Sequence, residues 1–84
     1  MTKPIIVDGL ILKSTSAKNQ GQFNKCVRAL MAYNKANDIR NEAYDLGLNT
    51  YGLERLCETK YDKYVELCYG LSKADIKLIE KTLF

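Results

Sequence analysis

The sequence predicts a small, mostly α-helical domain of about four helices with a β-hairpin in front of it. Three observations predict this. An Asp-Gly pair, Asp8-Gly9, stands between two short aliphatic runs near the start. Apolar residues then recur at helical spacing from Phe23 onward. Gly47 and Gly70, with Asn, Asp and Ser residues between the periodic runs, supply helix stops and starts. Eighty-four residues suffice for one domain, 1–84, with a single core and little margin.

The hairpin is expected over residues 4–13. Ile5-Ile6-Val7 and Leu10-Ile11-Leu12 flank the Asp-Gly turn, and a two-residue type I′ turn needs positive φ at both central positions. In that register Val7 faces Leu10, Ile6 faces Ile11 and Ile5 faces Leu12. Ile5, Val7, Leu10 and Leu12 then share one side, and Ile6 with Ile11 the other. Both sides are apolar. One is expected to pack on the helices, and the other needs a cover from elsewhere in the chain or from a partner.

Ser14 to Gly21 reads as a polar connector. A first helix is expected over 22–36, with Phe23, Cys26, Val27, Leu30 and Met31 as its apolar stripe. Asn37 and Asp38 are good N-cap types and suggest a new helix over 39–46, ended by Gly47. Asn49 is placed to cap a third helix over 50–70, either continuous or broken near residue 60. Ser72, with Asp75 three residues on, has the spacing of a capping box and starts a last helix over 73–83, expected to bury Ile76, Ile79 and Leu83.

Composition excludes several functions. The chain has no His, which removes the usual general base and metal ligand. There is no Gly-rich phosphate loop, no nucleophile motif and no carboxylate pair at metal-ligand spacing. No catalytic residue, metal or cofactor is assigned, and no small-molecule substrate is expected. Cys26, Cys57 and Cys68 are odd in number and lack CxxC spacing, so free thiols in a reducing, cytoplasmic compartment are expected. No apolar run is long enough to span a membrane, and no membrane partner is expected.

The net charge is +3, unevenly placed. Residues 1–37 hold six Lys/Arg against one Asp, and residues 38–84 hold seven against nine Asp/Glu. A basic front half suits an anionic partner.

One stretch, Ile39 to Glu58, resembles the helix-turn-helix unit of phage repressors and Cro-like proteins. Ala43 is followed by Gly47 and then by Leu53, with Leu46, Leu48 and Leu56 in the apolar places. The resemblance covers 20 residues. It implies two short helices joined by a glycine turn, with the leucines closing a small core between them. It also implies a dimeric regulator of transcription bound to double-stranded DNA. The third helix would then read bases with Asn49, Thr50, Tyr51 and Arg55, while Lys18, Lys25, Arg28, Lys60 and Lys63 would touch phosphates. The stretch from Asp38 to Glu58 is itself acidic, with five acids and two bases, so phosphate neutralisation would fall to the front half.

A second reading belongs to a different class. Tyr is favoured at protein interfaces, and the chain has six. Tyr61, Tyr64 and Tyr69, or the spare hairpin face carrying Ile6 and Ile11, would serve a viral-type accessory protein that binds and inhibits a host protein.

Overall fold

The computed structural model describes residues 2–84. It is mostly helical with a small sheet. Strands β1 (Ile5–Val7) and β2 (Leu10–Leu12) form an antiparallel hairpin, and a 3₁₀ turn at Ala17–Asn19 leads into three helices. These are α1 (Gln20–Asp45), α2 (Tyr51–Cys68) and α3 (Lys73–Leu83).

The hairpin has the expected register: Ile5 opposite Leu12, Ile6 opposite Ile11, Val7 opposite Leu10. Asp8 and Gly9 take φ of 51° and 81°, the left-handed region the tight turn demands. Val7 and Leu12 are buried and Ile5 is half-buried. Leu10 was expected on this inner side and is exposed instead. Short two-stranded ribbons twist strongly, and of the pair beside the turn only Val7 reaches the core.

The helix count differs from expectation. Residues 22–36 and 39–46 belong to a single helix of 26 residues, about 39 Å long at 1.5 Å per residue. Asn37 and Asp38 lie inside it and cap nothing. Their helix-propensity penalty is at most ~0.7 kcal/mol each. No Gly or Pro stands nearby to stop the helix, and Ala36 and Ala43, seven residues apart, are both buried on its inward side. Gly47, at φ 73°, ends the helix where predicted. The amide of Leu48 donates to the Ala43 carbonyl at 2.9 Å to close the turn. α2 begins at Tyr51 with Thr50, not Asn49, at the N-cap position; the Asn49 side chain accepts from the Tyr51 amide at 3.0 Å in the turn just before it. There is no break near residue 60.

α1 and α2 run antiparallel and side by side. Gln22 donates to the Leu67 carbonyl at one end, 2.7 Å. Tyr33 meets Tyr61 edge-on in the middle, with ring centroids 5.2 Å apart. Arg40 and Glu54 share a groove towards the other end. This is the packing of an αα-hairpin, whereas helix-turn-helix pairs cross at about 90–120°.

The core occupies one end of this hairpin. Val7, Leu12, Phe23, Cys26, Val27, Leu30, Tyr64 and Ile79 form it. α3 and the β-hairpin supply the second layer that a helix pair needs, but α3 is short and covers only the half of α1 nearer residue 20. Its last carbonyls reach Asn34, which donates to Leu83 O at 2.8 Å. Beyond that point nothing in the chain covers the two helices. Leu46, Leu48 and Leu56 were expected to close a core there and are exposed. Met31, expected on the apolar stripe of α1, is exposed although it precedes Asn34, and Ile76 and Leu83 are only half-buried.

A buried polar network holds the connector to α3. Asp75 is fully buried. Its carboxylate accepts from the Ser14 hydroxyl at 2.6 Å, and from the Thr15 amide and hydroxyl at 2.8 Å each. Ser14 also donates its amide to Gln20 Oε1 at 2.7 Å. Gln20 in turn donates to Asn24 at 2.8 Å, and Asn24 to the Lys3 carbonyl at 2.8 Å. The capping pattern at Ser72 is half as expected. Ser72 Oγ accepts from the Asp75 amide at 3.2 Å, but the Asp75 carboxylate is spent on Ser14 and Thr15. Among the described residues no buried side-chain polar atom lacks a partner.

Gly52 gives a stability prediction. It sits exposed at the start of α2, and a Cβ there would meet nothing within 4 Å. Gly52→Ala is therefore expected to stabilise the protein by about 0.5 kcal/mol, through lost freedom in the unfolded chain. A rise of a few degrees in Tm checks this; a fall would mean that residue 52 is not helical.

Candidate functional site

Two surfaces stand out once the core is assigned, and they lie at opposite ends of the molecule, whose longest extent is 45 Å.

The first is the outer face of the β-hairpin. Ile6 and Ile11 lie opposite one another across the two strands on this face and are 66% and 68% exposed, with Lys3 and Lys13 close by in the chain; Leu10, on the other side with Val7, is exposed beside the turn. The sheet has only two strands, so each keeps one unpaired edge.

The second is a groove between α1 and α2, just past the end of α3, with a volume of about 630 Å³. Tyr33 and Arg40 wall it on α1. On α2 the wall is Tyr51, Glu54, Arg55, Glu58, Tyr61 and Asp62. The spacing explains this wall, because positions 51, 54/55, 58 and 61/62 follow one side of a helix. Phe84 packs edge-on against Tyr33 at the near end, centroids 6.5 Å apart, and Tyr44 flanks a smaller pocket beside Arg40 and Glu54.

The four residues expected to read bases sit together at the glycine-turn end. Tyr51, Arg55 and Asn49 are exposed and Thr50 is half-buried. The expected phosphate contacts do not gather around them. Lys25 and Arg28 are exposed on α1 beside Cys26, which lies against Cys68. That places them about 20 Å along α1 from Arg40, across the groove from Arg55. Lys18 lies further still, before α1 begins. Lys60 is half-buried and Lys63 exposed, both midway along α2.

Of the expected protein-interface residues, Ile6, Ile11 and Tyr69 are well exposed, and Tyr61 is exposed at the groove edge. Tyr64 is a correction: it is a buried core residue. Its hydroxyl donates to Glu80 Oε1 at 3.3 Å, and burial, with Cys68 and Glu80 nearby, raises its pKa. Tyr64 lies on the α2 side that turns to α1 and α3, so its ring fills the space between three helices. The groove's Arg40, Glu54, Glu58 and Asp62 were missed. Their signal is the i, i+4, i+7, i+11 run of Tyr51, Arg55, Glu58 and Asp62 along one side of α2, of which only Tyr51 and Arg55 carry an expected role.

Cys26 and Cys57 are buried, Cys68 is half-buried, and all three are free. Burial first, and then Cys68, pushes the Cys26 thiol up to about 12, which keeps it protonated and unreactive near neutrality. Among the described residues no group of three His, Cys, Asp or Glu is placed to hold a metal ion, and no helix is long and apolar enough to cross a membrane.

Comparison with protein-family models, with curated proteins and with solved structures returns no match to this chain.

Proposed function

We propose that this chain is a non-enzymatic binding module that docks a partner protein on the outer face of its β-hairpin. The observation that carries the reading is the exposed pair Ile6 and Ile11, facing each other across a sheet with two open edges. A hairpin this short is stable only because its inner face joins the core, and an uncovered aliphatic face on it marks an interaction site better than a structural need. The partner that fits offers an apolar surface, or an extended strand, rimmed by acidic groups that meet Lys3 and Lys13.

The helix-turn-helix reading retains one supporting observation, the exposure of Tyr51 and Arg55 at the glycine-turn end. The cations that such a head would need are concentrated near the other end, so the partner-protein reading is the stronger one.

Ile6→Asp with Ile11→Asp is expected to reduce partner binding at least tenfold while leaving Tm within a few degrees, because both side chains are already in water. Titration of random duplex DNA at low salt provides the opposing arm. Tight binding that weakens steeply with salt and in Lys25→Ala and Arg28→Ala, but not in the hairpin variant, would reverse the ranking.

A further inference from the structure

The two edges of the hairpin are not equivalent. In a two-residue hairpin the pair beside the turn, here Val7 and Leu10, exchanges both amide hydrogen bonds. The next pair, Ile6 and Ile11, therefore turns its N–H and C=O groups outward, as do Pro4 and Lys13 two residues nearer the open end. On the β1 side Pro4 has no N–H to give, so of these two residues only Ile6 donates. On the β2 side Ile11 and Lys13 each offer an N–H and a C=O, and both residues are exposed. Gln20 bonds the groups that point the other way, the Leu12 carbonyl at 3.3 Å and the Ser14 amide at 2.7 Å. Among the described residues no turn or side-chain hydrogen bond uses the four outward groups of Ile11 and Lys13.

We propose, resting on the hairpin reading above, that the partner adds a strand to the β2 edge, and that this strand carries two adjacent apolar residues and, one residue removed from them, a carboxylate. Side chains on neighbouring strands stand side by side on the same face. The partner residue beside Ile11 extends the outer row of Ile6 and Ile11 to three apolar side chains. The next partner residue, on the other face, lies beside Leu10, which is 58% exposed next to buried Val7. The residue beside Lys13 shares the outer face with its exposed ammonium. Residues 1–37 hold six Lys/Arg against one Asp, so a carboxylate is the complement there. Lysine on an open edge discourages pairing with uncharged strands, and an acid beside it removes that obstacle. The backbone bonds supply affinity, and the three side-chain positions supply selectivity.

Selection of a phage-displayed library of random linear peptides on the full chain tests this. The enriched peptides are expected to share the apolar pair and the acid at that spacing, and selection on Lys13→Glu to replace the acid by a basic residue. The leading peptide is then titrated against full chains made by chemical synthesis, with the amide N–H of one residue replaced by an ester oxygen. Every side chain is kept, and no bond of the hairpin ladder is lost. Esters at Ile11 and at Lys13 are each expected to weaken binding by about three- to tenfold, the loss of one backbone hydrogen bond, and an ester at Ile6 to leave it unchanged. Peptides lost in Ile6→Asp with Ile11→Asp but indifferent to the esters at residues 11 and 13 would overturn the added strand and leave the hairpin face as the docking site. Peptides indifferent to the esters and to the Asp substitutions alike would overturn the added strand and count against the hairpin face as well. A library that yields no binder would also overturn the added strand, because an extended segment is then not what the chain takes.

Discussion

Asp75→Ala is expected to destabilise the protein by about 3–5 kcal/mol, against a total of roughly 4–12 kcal/mol for a domain of this size. The carboxylate takes three donors, the Ser14 hydroxyl and the Thr15 amide and hydroxyl, at 2.6–2.8 Å. Removing it leaves the buried Ser14 hydroxyl without its acceptor, gives up both Thr15 bonds and unpins the connector between the β-hairpin and α1. The same site sets a pH dependence. Burial works to raise the Asp75 pKa, but the Ser14 and Thr15 donors outweigh it and hold the carboxyl below its ordinary value. A depressed folded-state pKa contributes stability that is complete above the unfolded value, near 4, and is lost as pH falls through the folded one. Urea unfolding at pH 7 and at pH 3 is expected to show a marked acid loss in the unmodified protein and a smaller one in Asp75→Asn. Equal acid losses in the two would mean that Asp75 is not ionised in the folded state.

Tyr64→Ala is expected to cost a further large amount, about 3–5 kcal/mol, because an entire buried ring is removed from the junction of α1, α2 and α3. Tyr64→Phe keeps the ring and loses only the 3.3 Å bond to Glu80, so about 1 kcal/mol is expected. Denaturant midpoints of the two variants, compared with Tyr61→Ala at the exposed groove edge, check the assignment. A Tyr64→Ala variant as stable as the unmodified chain, yet defective in partner binding, would return this residue to the surface.

How much of this was legible in the sequence depends on how local the cause is. Asp8-Gly9, Gly47 and Ser72 act through their own backbone or the next turn, and each does what its residue type suggests. Asn37-Asp38 failed as a helix boundary because propensity is a weak term. The buried seam of Ala36 and Ala43 against α2, invisible to a local pattern, decides the matter. The leucines of the glycine-turn end failed for a related reason. Apolar spacing says which side of a helix could be buried, but not whether another element arrives to bury it, and α3 is too short to reach. Asp75 had a readable sign. It sits four residues before Ile79, on the inward stripe of α3, as Gln20 and Asn24 sit among Phe23 and Val27. A polar residue on an apolar stripe needs partners; that they are Ser14 and Thr15, sixty residues away, is settled only by the fold. For the candidate surfaces, the spare aliphatic face of Ile6 and Ile11 was legible from alternation alone. The groove was not, because it depends on where α3 ends.

Photo-crosslinking from single positions on the intact protein tests the central claim, that the hairpin's outer face is where a partner protein docks. Probes at residues 6 and 11 are expected to yield one discrete protein adduct, suppressed by excess unmodified chain but not by the Ile6→Asp, Ile11→Asp variant. No protein adduct from either position, together with nucleic-acid adducts from a probe at residue 55, would contradict it.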